Sequence, residues 1–187
     1  MDKLYIKKDT SNVFFTSDLH INHKNILGFC SRPFKGTLDM REKLILNWNE
    51  TVKDDSLIFV LGDIFFGYTK TKMKEFMDRL KGQKILIWGN HDDPNCFYTE
   101  AFTSCHDILH LNLNNEYRFV LSHYPLMTWP GINKGYINTH GHVYLGPHCS
   151  GFDKDLPYHK LQYDIGVDNN NYKPISAKDI LNIIQRK

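Results

Sequence analysis

Residues 84–92 read KILIWGNHD, an apolar run followed by a glycine and then by three polar side chains. A short run rich in isoleucine and leucine is typical of a strand buried inside a sheet. Gly89 permits the tight turn that presents Asn90, His91 and Asp92 at the end of that strand. The segment therefore predicts a central strand with a polar site at its carboxyl end.

Four other segments have the same layout, in which Asp or His residues follow an apolar run. They are FFTSDLH at 14–20, LGD at 61–63, LSHYP at 121–125 and THGH at 139–142. Polar residues at the ends of such strands lie on loops at one edge of a sheet, which is the layout of a metal site. Oxygen and imidazole ligands without a cysteine favour Mn, Fe, Zn or Ni over Ca or a metal that prefers thiolates.

Strands and helices alternate along the chain, which predicts a layered α/β fold. The predicted strands cover residues 13–16, 57–61, 84–88, 108–113, 117–122, 136–139 and 161–167, with a hairpin turn at Asn114-Asn115. Helical spacing of apolar residues predicts one helix with Leu38, Leu44, Ile45 and Trp48, and another with Met73, Phe76, Met77 and Leu80. Ser176 has capping-box character and predicts the start of a last helix.

Length and composition fit one domain spanning residues 1–187, with no internal repeat or linker. The net charge of +2 neither indicates nor excludes a polyanionic partner. The four cysteines form no CxxC pair, and the first residues lack the apolar stretch of a signal peptide, so we expect a cytoplasmic protein. No apolar run is long enough to cross a bilayer, so no membrane partner is expected.

In chain order, the five segments resemble the DxH, GD, GNHD, lone-His and GHxH elements of the calcineurin-like metallophosphoesterase family. Stretches without candidate ligands, SRPF at 31–34, NWN at 47–49 and GVD at 166–168 followed by YKP at 172–174, are similar to small bacterial and phage phosphoesterases. The resemblance runs from Val13 to the end of the chain. It implies a layered β-sandwich flanked by helices.

The resemblance also implies a role for each polar residue of the five segments. One divalent ion would be held by Asp18, His20 and Asp63, and a second by Asp63, Asn90, His123 and His142, so that Asp63 bridges the two. His91 would be the general acid above the leaving group, with Asp92 orienting its imidazole. The implied cofactors are two transition-metal ions, with Mn expected and Fe, Zn or Ni as alternatives.

Tyr144 is where the chain departs from the family pattern, because it stands in place of the last histidine of GHxH. Three alternatives follow. The ion at Asp18 and His20 binds more weakly while activity survives, which is the alternative we favour; the phenol ligates a ferric ion; or the site holds one ion and has lost most turnover. His148 and His159 follow closely and are candidate replacement ligands.

Two further residues are predicted to face the substrate. Arg32 precedes Pro33, which restricts the arginine backbone, and its guanidinium suits a phosphate; an ordinary ion pair is the alternative. His140 would either support the ligands or contact the substrate. His23, on the loop of the first motif, is a weaker candidate for the substrate side.

The expected activity is hydrolysis of phosphate esters, with a phosphodiester preferred and a nucleotide or nucleic acid as the candidate substrate. One alternative is a phosphomonoesterase. The other is a non-enzymatic binding module with a degraded metal site, for which the retromer subunit with this fold is the precedent by resemblance. The sequence indicates nothing about oligomeric state.

Overall fold

The computed structural model describes residues 1–93, 98–149 and 157–186. Its strands are β1 (Asp2–Ile6), β2 (Val13–Thr16), β3 (Leu57–Val60), β4 (Gln83–Ile87), β5 (Ser104–His106), β6 (Ile108–Leu113), β7 (Tyr117–Ser122), β8 (Ile137–His140), β9 (Gln162–Asp164) and β10 (Ile175–Ser176). Its α-helices are α1 (Lys24–Phe29), α2 (Thr37–Thr51), α3 (Lys70–Met77), α4 (Tyr98–Ala101) and α5 (Ala177–Gln185).

The strands form two five-stranded sheets. The helix-covered sheet has the order β10-β2-β3-β4-β5, and the second sheet has the order β1-β6-β7-β8-β9. Most neighbouring strands are parallel, with β10–β2 and β6–β7 the antiparallel pairs. The predicted α/β class, with layered sheets flanked by helices, is confirmed.

The helix-covered sheet is buried on both faces because alternate residues of its strands point to opposite sides. Phe15 and Phe59 belong to the core shared with the second sheet, where the Phe119 ring lies 5.3 Å from the Phe15 ring. Phe14 and Ile58 belong to the other core, which α1, α2 and α3 cover. Burial on both faces accounts for the continuous apolar runs in the sequence.

Parallel pairing places the ends of the strands where the polar segments need them. β2, β3 and β4 run parallel in the helix-covered sheet, and β7, β8 and β9 run parallel in the second sheet. The carboxyl ends of each set therefore lie along one edge of their sheet. All five polar segments leave from such ends.

Several local predictions are confirmed. β2 spans the predicted residues, and Asn114 and Asn115 have φ angles of 60° and 59°, as a tight turn of the mirror-image type requires. The Ser176 side chain accepts a hydrogen bond from the Asp179 N–H at 3.1 Å and caps α5. No helix among the described residues is long and apolar enough to cross a membrane.

Other local predictions are wrong in detail. Leu38 is 66% exposed because it lies in the first turn of α2 on the solvent side, and Leu80 is buried only after α3 has ended. The strand predicted at 161–167 stops at Asp164, whose carboxylate accepts the Gly166 N–H and turns the chain. β1 and β5, which were not predicted, are short strands at the sheet edges.

Candidate metal centre

The carboxyl ends of the parallel strands bring two groups of metal-ligating atoms together. Within each group the ligand atoms lie within 4.8 Å of one another. The His20 position consists of Asp18, His20 and Asp63, and the His123 position contains Asp63, His123 and His142. Asp63 belongs to both, so the two positions are adjacent.

Asp63 is placed between the two imidazoles. Its Oδ2 atom lies 3.5 Å from His20 Nε2 and 3.6 Å from His123 Nε2. Its Oδ1 atom accepts the His91 N–H at 2.9 Å, whereas Oδ2 is buried and accepts no hydrogen bond from any described residue. One carboxylate oxygen therefore fixes the loop, and the other points at both positions.

The two carboxylate oxygens of Asp18 also have different surroundings, as those of Asp63 do. Oδ2 accepts the His142 N–H at 3.0 Å, while the buried Oδ1 accepts no hydrogen bond from a described residue and lies 3.8 Å from His20 Nε2. Burial, together with the charge of Asp63, raises the pKa of Asp18 well above its usual range, and burial likewise raises the pKa of Asp63. Buried carboxylate oxygens that lack a partner are costly, and a cation between them would remove that cost. The donor set therefore fits a pair of metal ions.

The His123 position is completed by an amide oxygen. His123 Nδ1 lies 2.7 Å from the Leu61 carbonyl oxygen, to which it donates, so Nε2 of the neutral ring carries the lone pair. Nε2 lies 3.0 Å from Asn90 Oδ1. Two acceptor atoms at this separation do not attract each other, but both suit one cation. Asn90 thus lies beside His123, and its role as a ligand stays a prediction.

The ligand loops adopt backbone conformations that side chains rarely take. The φ angles are 59° at Asp18, 49° at His20, 55° at Asp63 and 69° at His142. Each such residue costs on the order of 1 kcal/mol or more, and strain of this kind concentrates at functional sites. The fold holds these residues in place at an energetic cost, which indicates that their positions serve a function.

Two glycines allow the loops to approach one another. A Cβ atom on Gly89 would overlap Asp63 Oδ1, and a Cβ atom on Gly141 would overlap Ser17 Oγ and Asp18 Oδ2. The glycines that precede Asn90 and His142 are therefore required by the contact between neighbouring ligand loops.

Tyr144 points into the His20 position. Its hydroxyl oxygen lies 2.6 Å from His20 Nε2, the same atom that faces Asp18 and Asp63. Burial and then the charge of Asp18 raise the pKa of the Tyr144 phenol, and burial and then Arg32 lower the pKa of His20, so both groups are neutral without a cation. Of the proposed replacement ligands, His148 is exposed and the His159 ring packs against Trp129 at 5.5 Å.

His91 lies beside the ligands without belonging to either position. Its ring centroid is 5.4 Å from that of His20, and its side chain is solvent-exposed and borders the cavity next to the ligands. Asp92 accepts the N–H groups of Gly89 and Asp63 at 2.9 Å and that of Ile64 at 3.2 Å. Asp92 therefore ties the loop after β4 to the loop after β3, and its orientation of the His91 ring stays a prediction.

The prediction that Arg32 binds substrate phosphate is corrected by the structure, which buries its guanidinium completely. It donates to both oxygens of Asp168 at 2.9 and 2.6 Å, and to the carbonyl oxygens of Asp18 at 2.8 Å and Leu19 at 3.0 Å. A contact with Met40 Sδ at 3.3 Å occupies the remaining direction. The alternative ion pair is what forms, because Asp168 and two backbone carbonyls take the hydrogens that a phosphate would need.

His140 is also too enclosed to contact a substrate. It is 1% exposed, and its ring stacks on Tyr158 with centroids 5.7 Å apart. Of the two alternatives for His140, support of the ligand loops is the one consistent with this burial. His23, by contrast, lies on the open side, where its ring stacks on Phe66 at 4.1 Å.

A third group of ligand-type atoms lies behind the metal centre. Cys30 and Cys149 are buried cysteines whose sulfur atoms lie within 4.8 Å of each other and of an Asp168 oxygen. Both Asp168 oxygens are already bonded to Arg32. We therefore do not assign this group to the metal centre. Cys96 lies outside the described residues.

Sequence reasoning did not find the ion pair of Arg32 with Asp168, although both lie in stretches that carry the subgroup resemblance. The structure joins those stretches directly: Asn47 Nδ2 donates to the Tyr172 carbonyl oxygen at 3.0 Å, and the Phe34 ring lies 4.9 Å from the Tyr172 ring. The available signal in the sequence was that these stretches match the subgroup although they contain no candidate ligand, which suggests a structural role such as contact with one another.

The two-sheet fold and the ligand cluster define a metal-dependent phosphoesterase class, and comparison with known proteins agrees. The family model described as calcineurin-like phosphoesterase matches residues 11–180. The chain belongs to this family. It is accordingly a metal-dependent phosphoesterase, and the described residues include groups that could hold metal ions.

Particular relatives support the same assignment. The uncharacterized protein MJ1445 of Methanocaldococcus jannaschii is 32% identical over 93% of this chain and 92% of its own. The gene 66 protein of Mycobacterium phage D29 is 38% identical over 49% of this chain and 45% of its own. A crystal structure of the protein of unknown function AQ665 from Aquifex aeolicus superposes with a TM-score of 0.71 at 26% identity, covering 91% of this chain and 98% of that one.

Proposed function

We propose that this protein hydrolyses phosphodiesters, of the nucleotide or nucleic-acid-derived class, at two divalent ions. The ions would be held by Asp18, His20, Asp63, Asn90, His123 and His142. One observation carries the proposal: Asp63 Oδ2 is a buried oxygen that accepts no hydrogen bond from the described residues and lies 3.5 Å and 3.6 Å from imidazoles of two different ligand groups.

In the proposed hydrolysis, the ions and the protein residues have different roles. When bound, two ions generate a nucleophile near neutral pH and neutralise charge on the transferring group. Asp63 keeps the two positions adjacent, and the Leu61 carbonyl holds the His123 ring in one tautomer. Backbone bonds from His91 and His142 to the two aspartates fix the carboxylates before substrate arrives.

His91 is the proposed general acid. The His91 side chain is exposed, borders the cavity beside the ligands and takes no place in either ligand group. An imidazole there reaches the leaving-group oxygen of an ester whose phosphate lies on the ions, and it supplies the proton that this oxygen gains on departure.

The space next to the metal centre has room for an organic group of the ester, and the choice of a diester is tested by the substrate comparison below. A cavity of about 360 Å³ begins at His20, His91 and His142 and extends away from them. A phosphomonoester carries one organic group, whereas a diester carries two and needs room for the second.

Tyr144 is proposed as a ligand at the His20 position, with Mn as the working metal. Its hydroxyl is directed at the metal-facing nitrogen of His20, so an ion on that nitrogen lies within reach of the phenol oxygen. The sequence alone favoured weaker binding of this ion, and the direction of the Tyr144 hydroxyl is the reason for proposing the phenol as a ligand instead. A phenol oxygen is a hard ligand and matches Mn or Fe better than a thiolate-preferring metal.

Metal-dependent hydrolysis tests the proposal. Protein freed of metal with a chelator is expected to be inactive and to recover with added Mn²⁺, and bis(p-nitrophenyl) phosphate is expected to be cleaved with a higher kcat/KM than p-nitrophenyl phosphate. A higher value for the monoester would reverse the diester assignment. Absence of hydrolysis by protein with measured bound Mn would instead support a binding module.

A further inference from the structure

The cavity beside the metal centre, which we call the α1 cavity, has a lining of two kinds. Its volume is about 360 Å³, within the range of roughly 300–1,000 Å³ that small-molecule sites occupy. Part of the lining is the metal centre itself, through His20, His91 and His142. The rest includes Ile26 and Phe29 of α1. A molecule that fills the α1 cavity therefore meets both the metal centre and an apolar wall.

The apolar wall is built from the segments that follow the ligands in sequence. α1 comes directly after the loop of Asp18 and His20, and Val143 comes directly after His142. Val143 and Ile26 are 2% and 3% exposed, so the wall is packed from behind. The distance from the metal centre to the apolar wall is thus set by the same loops that position the ligands.

Most residues that line the α1 cavity carry aromatic rings, and some of these rings contact other rings in edge-to-face or stacked geometry. The Phe29 and Tyr144 rings contact at 5.5 Å with an angle of 77° between their planes. At the rim, the His23 ring stacks on Phe66 at 4.1 Å and 10°. Phe66 itself is 41% exposed and does not line the α1 cavity.

We propose that the α1 cavity binds a planar aromatic group of the substrate ester. The aromatic group lies against Phe29 and Tyr144 while the phosphate lies on the ions, so the inference rests on the proposed function and specifies its substrate class. A flat ring gains both burial and the edge-to-face contacts that Phe29 and Tyr144 already make with each other. An alkyl group of similar size gains only the burial.

Calorimetry tests the proposed aromatic site by measuring how three unreactive phosphonates bind to Mn²⁺-loaded protein. Phenylphosphonate is expected to bind about 10- to 100-fold more tightly than methylphosphonate, because its larger apolar area is buried. It is expected to bind about 2- to 10-fold more tightly than cyclohexylphosphonate, because only the planar ring makes edge and face contacts. Metal content is measured on the same samples.

Two variants test whether the preference for phenylphosphonate arises in the α1 cavity. Phe29→Leu keeps apolar volume but removes one of the two rings, and is expected to reduce the preference for phenyl over cyclohexyl. Asn25→Trp, at the exposed rim, is expected to block the α1 cavity and reduce the affinity for phenylphosphonate to that for methylphosphonate. Leu38→Trp places the same side chain on an exposed site of α2 and is the matched control.

The outcomes separate the inference from the proposed function. Equal affinity for all three phosphonates would overturn the inference while leaving the phosphoesterase proposal intact. Equal affinity for phenyl and cyclohexyl would show an apolar cavity without ring selectivity and would also overturn it. If none of the three binds protein that contains its metal, both proposals fall.

Discussion

The two ion positions share Asp63 but are built differently. At the His123 position, the tautomer of His123 is set by the Leu61 backbone carbonyl, 62 residues away in the chain, and Asn90 supplies a neutral amide oxygen. At the His20 position, Asp18 and Asp63 are buried carboxylates, each with one oxygen that accepts no hydrogen bond from a described residue, and the Tyr144 phenol approaches His20 Nε2 at 2.6 Å.

Both positions depend on contacts between distant parts of the chain, but those at the His20 position span more of the sequence than the contact of His123 with Leu61, 62 residues away. The Asp18–Leu19 loop is held by Arg32, which is in turn held by Asp168, 136 residues further along. Tyr144 reaches His20 across 124 residues. We therefore expect the His20 position to be the more easily weakened of the two, and the variants below act on both positions, on neither, or on the His20 position alone.

Asp63→Asn acts on both positions and is expected to have the largest effect. It replaces the shared carboxylate with a neutral amide, so activity on bis(p-nitrophenyl) phosphate should fall by about three orders of magnitude or more, together with metal content. Asp54→Asn, at an exposed site, is the control. A variant that retains two ions and a normal rate would show that Asp63 is not the bridge.

His91→Asn acts on neither position and separates catalysis from metal binding. Turnover is expected to fall by about two to four orders of magnitude with metal content unchanged, since a lost general acid costs that much. An ester with a very good leaving group should lose less, because it needs little protonation. Loss of metal from this variant would place His91 among the ligands.

Arg32→Lys should weaken the His20 position selectively. A lysine keeps the charge but cannot donate to Asp168, Asp18 and Leu19 together, so we expect the ratio of bound ions to fall from two toward one. Disturbing this buried pair should also lower the free energy of unfolding by about 3 kcal/mol. Unchanged metal content in a folded variant would remove Arg32 from the support of this position.

Arg79→Lys is the matched control for Arg32→Lys. Its ion pair with Glu42 is on the surface, with both side chains 46% exposed. The change should cost less than about 1 kcal/mol in unfolding free energy and leave both ions bound.

Tyr144 variants should have the smallest effect and decide how the His20 position is completed. Tyr144→Phe should weaken the ion there by about tenfold, the lower end of the range for ligand-supporting groups, while Tyr144→His should bind at least as well as wild type. Protein loaded with ferric ion should show a visible phenolate absorption that Tyr144→Phe removes. Equal metal affinity in all three proteins, without that absorption, would exclude Tyr144 as a ligand.

The fold was predictable where neighbours in sequence dictate structure. The apolar runs of β2, β3 and β4 are buried on both faces, and the turn residues Asn114 and Asn115 take the left-handed conformation that their side chains tolerate. The strand at 161–167 was overestimated because its apolar residues continue past Asp164. There the carboxylate bonds to the backbone and ends the strand in a way that composition does not reveal.

The candidate site was predictable in its residue types and not in its supporting contacts. The polar residues that follow each run identified Asp18, Asp63 and His123, because a parallel sheet brings such ends to one edge. Arg32 was assigned to substrate for the right reason, since its guanidinium does bind a carboxylate in bidentate fashion. The carboxylate proved to be Asp168 of the same chain.

By itself, the sequence determined the central strands and the candidate ligand residues, because apolar runs depend on local spacing and the polar residues of the family motifs follow them at strand ends. Only the tertiary structure decided that Tyr144 faces His20, that Arg32 pairs with Asp168, and that Phe29 lines a cavity beside the candidate metal centre. Each of these contacts joins segments far apart in the chain. Such contacts follow from how the two sheets and α1 pack, which no short stretch of sequence encodes.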